Sequence, residues 1–135
     1  LLLGPVVSLY TTASVIKILL VTTGVVVGLG FLGAIWPNSL ESWGVWLFGA
    51  LLVLLLGSVV TIFASAAGLP VQGALRLWDW IGVALFSAYV VFDLNRAMRV
   101  ERTHDNALDC AVAVYLDFVN LFIRLLSLSG QTSDD

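Results

Sequence analysis

Apolar residues run along this chain in long blocks, each closed by a short polar or Gly/Pro interruption. One block covers residues 11–35 and ends at "WPNSLES" (36–42); a second covers 43–66 and ends at "AAGLPVQG" (66–73). A third covers residues 75–99 and a fourth 107–128, followed by the polar tail "SGQTSDD" (129–135). A helix needs ~20 mostly apolar residues to cross the hydrocarbon of a bilayer, and each block supplies them. The opening stretch, residues 1–9, is too short to span and reads as the tail of a helix whose start lies upstream. It has no basic n-region, so it is not a signal peptide. The pattern predicts an all-α membrane protein: one transmembrane helical domain over residues 1–135, a bundle of four complete spans plus the partial one.

Composition turns this pattern into a statement about solvent. The chain is 60% hydrophobic and only 11% charged. A soluble domain of 135 residues cannot hide that much apolar surface, whereas a lipid bilayer is a partner that does not require it. A net charge of −3 with no basic patch excludes a nucleic-acid binder. The single cysteine, Cys110, excludes an internal disulfide and a cysteine-cluster metal site, and it reads as a small apolar filler. No nucleophile–base set, HExxH helix or phosphate loop is present, which argues against an enzyme and against a bound cofactor.

Charge also orients the spans. Arg96, Arg99 and Arg102 cluster after the third span, which predicts that the connection at 100–106 faces the cytoplasm. "WPNSLES" then lies on the same side, and the Gly/Pro turn and the C-terminal tail lie opposite. Trp78 and Trp80 read as interfacial anchors, Lys17 as a snorkelling side chain, Arg76 and Asp79 as exposed at an interface, and His104 as a lone turn histidine. "GVVVGLGFLG" (24–33) spaces small residues four apart, a pattern that lets helix backbones approach closely.

Two acids stand inside the apolar blocks. Asp93 ends the run "SAYVVFD" in the third span, and Asp117 lies deep in "VYLDFVNLFIRLL" (114–126) of the fourth. A charge at bilayer depth is unfavourable by at least ~2.5–3.5 kcal/mol, so each needs a partner, water or a proton. The midpoint of positions 93 and 117 falls at Asp105, in the polar turn "ERTHDN" (101–106). A symmetric antiparallel hairpin would put both acids at one height, roughly 12–18 Å from that turn. Two carboxylates facing one another in low dielectric cannot both ionise cheaply and share one proton. When that proton leaves they repel or recruit a hard cation such as Ca²⁺. The plainer alternative is a buried structural group bonded to backbone or to an Asn. Asn120 and Arg124 share the face of Asp117 and are candidate supporting polar residues; Arg124 either pairs with Asp117 through water or snorkels to the far interface.

These stretches resemble the transmembrane Bax-inhibitor motif family. The resemblance is carried by "FSAYVVFDLNRAM" (86–98) and "AVAVYLDFVNLFIRLL" (111–126), with Asp93 and Asp117 in the motif positions, and more weakly by "GPVVSLYTTASV" (4–15). It implies a seven-helix bundle with the last helix central and ringed by the others. It further implies a pH-sensitive Ca²⁺ leak channel or transporter in a prokaryotic inner (plasma) membrane, with Asp93 and Asp117 as pH sensor and ion path. Calcium would be transported, with at most transient residence at that pair, and no other metal is expected. The alternative is a non-conducting membrane regulator that binds a membrane protease or another membrane complex. The family's first two helices and part of a third, whose polar groups help latch the aspartates, have no counterpart in these residues.

Overall fold

The computed structural model describes residues 12–133, with side chains from residue 14 to residue 129. The helix tail expected at residues 1–9 lies outside the described residues. Four helices follow one another: α1 (Thr12–Ile35), α2 (Trp43–Ala66), α3 (Gln72–Ala97) and α4 (His104–Ser133). Each contains an apolar stretch of 22–26 residues. At ~1.5 Å per residue such a stretch exceeds the ~30 Å hydrocarbon core. The outward side chains agree with that setting: Trp46 is 81% exposed and Phe63 69%, a surface that lipid covers and water would not.

α1 and α2 follow their apolar blocks closely. α2 stops where Gly68 takes a positive φ of 86°. There the Leu69 N–H donates to Ala64 O at 3.1 Å and the Gly68 N–H to Ser65 O at 3.0 Å, a Schellman closure that needs a residue without a Cβ at Gly68.

The α3–α4 hairpin differs from the symmetric one expected from sequence. α3 starts at Gln72 and ends at Ala97, two residues before the expected end at Arg99. α4 starts at His104, inside the stretch read as a loop. The reason is local: the Thr103 hydroxyl accepts from the Asn106 N–H at 3.1 Å, and Asp105 sits in the first turn. That is an N-cap with an acid against the helix dipole. α4 also runs on through the polar residues to Ser133, past the expected stop at 128. A helix already propagating satisfies its own backbone and tolerates them.

α3 is the central element, touching α1, α2 and α4, while α4 lies against α3 and α1. Among the described residues the penultimate helix therefore holds the position that the family resemblance implies for the last one. The outer face of α4, with Leu108, Val112, Tyr115 and Leu116, stays exposed. Leu47 and Leu54 of α2 close on Leu85, Phe86 and Val90 of α3 and Leu121 of α4. Ile18 of α1 packs on Phe122 and Leu126 of α4 in a second cluster.

Asn95 ties the α1–α2 connection to this centre. It is 2% exposed, and its Nδ2 donates to Gly33 O (3.2 Å) and Asn38 O (3.1 Å). Its Oδ1 accepts from the Leu40 N–H at 3.0 Å and from Arg99 Nε at 3.2 Å. Arg99 Nη2 in turn donates to Trp36 O at 3.2 Å, so "WPNSLES" and the end of α3 share one end of the bundle.

Close helix approach occurs at Gly33, where a Cβ would collide with the Val91 carbonyl, and at Gly30, against Leu94. Gly24 and Gly28 meet nothing within 4 Å among the described residues, so the four-residue repeat is not itself the contact. Gly33→Ala should therefore destabilise by about 1–3 kcal/mol through overpacking, whereas Gly28→Ala should be neutral or slightly stabilising. Thermal unfolding of both variants in detergent decides this; equal melting temperatures would show that α1 does not seat on α3 at Gly33.

Candidate functional site

Hairpin asymmetry brings the two acids together. Asp93 lies four residues before the end of α3 (97 − 93), and Asp117 lies thirteen residues into α4 (117 − 104). They are ~6 Å and ~20 Å from their helix ends, not at equal distances from a central turn. α4 overhangs α3, and the 98–103 connection climbs beside its first turns. The two side chains nonetheless line one cleft. They are 7% and 4% exposed, respectively.

The pair is incompletely satisfied. Asp117 Oδ2 is buried and has no hydrogen-bond partner among the described residues, an arrangement normally unfavourable by several kcal/mol in an apolar medium. Beside the pair opens a cleft of about 350 Å³, bounded by Leu51 and Leu55 of α2, Phe86 and Tyr89 of α3, and Asn120 of α4. Asn120 thus lines the same space as Asp117. Its Nδ2 is committed to its own helix, donating to Leu116 O at 2.8 Å.

Arg124 does not join this pair. Its Nη1 donates to Trp78 O at 3.1 Å and lies 3.4 Å from Asp79 Oδ1. The side chain lies across Gly82, where a Cβ would have no room. Its guanidinium carbon is 5.9 Å from the Phe86 ring centroid. Asp79 also accepts from the Ser127 hydroxyl at 2.9 Å. Asp79, expected to be exposed, is thus a counter-ion: its side chain is 17% exposed and that of Arg124 18%. The physical reason is that a guanidinium held between helices needs an anion more than a free acid needs water. Phe86 touches both Arg124 and the aspartate cleft, so the two polar contacts of the hairpin share one ring.

Sequence reasoning missed Asn95 and misread Trp78. Trp78 is half-buried; its indole Nε1 donates to the Thr61 hydroxyl at 2.9 Å and its ring lies on Gly57. It locks α2 to α3, while Trp80, 54% exposed, faces outward as an anchor would. The available signal for Asn95 was its position two residues after Asp93, still within the third span, where a second polar group needs partners. Lys17 and His104 are exposed, and Cys110 is a free, partly buried thiol. No cluster of three metal-ligating side chains occurs among the described residues.

Comparison with known proteins matches the sequence to a family. The profile of the family described as "Inhibitor of apoptosis-promoting Bax1" matches residues 1–134. The chain is 30% identical over 137 residues to Bax inhibitor 1 of Saccharomyces cerevisiae, covering 93% of this chain and 43% of the yeast protein. It is 27% identical over 133 residues to the inner membrane protein YbhL of Escherichia coli K12, covering 90% of this chain and 54% of that protein. It is also 31% identical over 85 residues to Protein LIFEGUARD 4 of Arabidopsis thaliana, covering 63% of this chain and 32% of that one. The chain thus spans about half the length or less of these three curated relatives.

The Arg124–Asp79 pair makes a prediction independent of any activity. Arg124→Gln or Asp79→Asn alone should destabilise by about 1.5–3 kcal/mol, since each leaves a charged, half-buried partner behind. The joint variant, Arg124→Gln with Asp79→Asn, should lose less than the sum of the two single losses. Melting temperatures of the four proteins form a double-mutant cycle, and strict additivity would show that the pair is uncoupled.

Proposed function

The chain belongs to the Bax inhibitor family of multi-pass membrane proteins, and on that premise we propose that it is a pH-sensitive calcium leak channel or transporter gated by Asp93 and Asp117. One observation carries the proposal: two nearly inaccessible carboxyl groups line one cleft of about 350 Å³ at the α3–α4 interface, and one Asp117 oxygen has no hydrogen-bond partner among the described residues. A structural aspartate would be saturated by backbone or amide donors. This one keeps a bare oxygen where a cation could arrive.

The mechanism follows from proton sharing. With one proton between them, the two carboxyls bridge α3 and α4 through a short O–H···O contact. Loss of that proton leaves two negative charges in low dielectric, which push the helices apart and attract a divalent cation. Two carboxylates and the Asn120 amide offer at most about five oxygens, short of the six to eight that Ca²⁺ prefers. Water must supply the rest, which suits an ion in transit and not a resident one. Rising pH therefore opens the path and falling pH closes it.

In the proposed orientation the 98–103 connection faces the cytoplasm of a prokaryotic cell. Arg96 in the last turn of α3 and Arg99 and Arg102 in the connection support this, as does the inner-membrane description of the Escherichia coli relative. A second reading has its own support in the relatives' names: a regulator that restrains a membrane partner and conducts nothing.

Asp117→Asn should abolish the pH dependence of Ca²⁺ flux, because Asn resembles a protonated Asp in shape but cannot ionise. Asp93→Asn should do the same, and the double variant should add little, the two acting as one unit. A calcium dye inside reconstituted vesicles over a pH series measures this. Single variants that titrate like the parent protein would make the aspartates structural; absence of flux at every pH would favour the regulator.

A further inference from the structure

At the end of the bundle where Asn95 holds the α1–α2 connection, a second cavity of about 240 Å³ opens between that connection and α3. Its wall carries Arg96 and Arg99 on one side and Ser39 and Glu41 on the other, with Phe92 and Val100 supplying apolar surface. It lies outside the aspartate cleft, and neither the fold nor the proposed gating uses it.

Three observations point to a ligand of mixed charge. The first is preorganisation. Asn95 fixes the rim through Asn38 and Leu40, and Arg99 is held by Trp36 O and Asn95 Oδ1 through Nη2 and Nε. Two of the five N–H groups of Arg99 are thereby committed, which leaves the rest of its fork for an acceptor. The second is unspent charge. Among the described residues Arg96 and Glu41 form no ion pair, with each other or with anything else, although they line one small cavity. The third is level. Trp36 is 41% exposed, Trp43 38% and Trp46 81%, and tryptophans so placed belong at the boundary between headgroups and hydrocarbon.

We propose that this cavity binds a phosphodiester bearing an amine, as in a phosphoethanolamine headgroup. Arg96 and the free edge of Arg99 take the phosphate oxygens, the bidentate task for which guanidinium is suited. Glu41 takes the ammonium. Phe92 and Val100 meet the first methylenes beyond the phosphate. The volume allows it: a cavity of about 240 Å³ is roomy enough for a small phosphodiester-amine headgroup. Glu41 also supplies discrimination, since it repels a purely anionic headgroup that the arginines alone would accept. The same chemistry is offered by a membrane lipid and by its soluble glycerol ester, and the two differ in acyl chains only.

The test uses the purified chain in detergent, stripped of lipid and offered phosphatidylethanolamine, phosphatidylglycerol or glycerophosphoethanolamine, with bound species counted by native mass spectrometry. Arg96→Gln and Glu41→Gln are informative because neither side chain is part of the internal hydrogen-bond network, and melting temperatures check that both fold as the parent does. The parent should retain the ethanolamine lipid over the glycerol lipid by about tenfold, the effect of one charge-assisted contact. Glu41→Gln should erase that preference, and Arg96→Gln should lower retention of both lipids. If the soluble ester binds as well as the lipid, the cavity recognises the phosphodiester amine itself; if it binds only weakly, the lipid is the ligand. An unchanged lipid preference in Glu41→Gln, or unchanged retention in Arg96→Gln, overturns the proposal. A protein that fails to conduct Ca²⁺ leaves this result untouched, because no part of the assay reads flux.

Discussion

Hydrocarbon offers no hydrogen bonds, so every polar group drawn into it must find its partner inside the protein. That constraint organises the bundle around α3. This helix carries Asp79, Trp78, Asp93 and Asn95, and each is answered by another element: Arg124 and Ser127 of α4, Thr61 of α2, Asp117 of α4, and the backbone of the α1–α2 connection. The central place of α3 is therefore as much polar as apolar. Leu54, Val90 and Leu121 fill the space between these contacts, but apolar side chains have little reason to prefer one another over lipid tails. Specific pairing is left to the polar groups and to close approaches such as Gly33 on Val91.

Against that background the aspartate pair is the exception. Asp79 is saturated and Asn95 uses both of its amide atoms, whereas Asp117 keeps an oxygen without a partner. Among the described residues only that site leaves buried polarity unpaired beside a cleft. The Arg124–Asp79 pair holds the same two helices at a distance from it, with Phe86 between. A hairpin clasped at one contact and proton-sensitive at another has a natural way to open: repulsion at the aspartates separates one region while the ion pair keeps the other in register. The gating proposed for this chain needs no larger rearrangement than that.

The overhang of α4 matters for the same reason. Because α4 begins at His104, the first turns of this helix extend beyond α3 and are flanked by the 98–103 connection. Asp117 is thereby placed well inside the apolar depth of α4, while Asp93 lies close to the α3 terminus. The pair joins a deep position on one helix to a shallow one on the other.

Much of this was legible in sequence. Long apolar blocks specify spanning helices because length and hydropathy answer directly to bilayer thickness, and the Gly/Pro signal at Gly68 answers to a backbone angle. Asp93 and Asp117 stood out because an ionisable residue in such a block is rare and unfavourable. What only tertiary structure decided was partnership. Arg124 could not be assigned to Asp79 from spacing, because forty-five positions separate them (124 − 79) and the choice depends on how two helices rotate and slide. Asn95 was passed over because an amide gives no sign of whether four groups will converge on it. By polarity "ERTHDN" looks like a loop and predicts a symmetric hairpin, although Thr103 and Asp105 also form a helix start. Local rules determine where a helix can begin and which residues resist lipid. Which polar group answers which is set by the relative placement of whole helices, and that is a property of the assembled bundle.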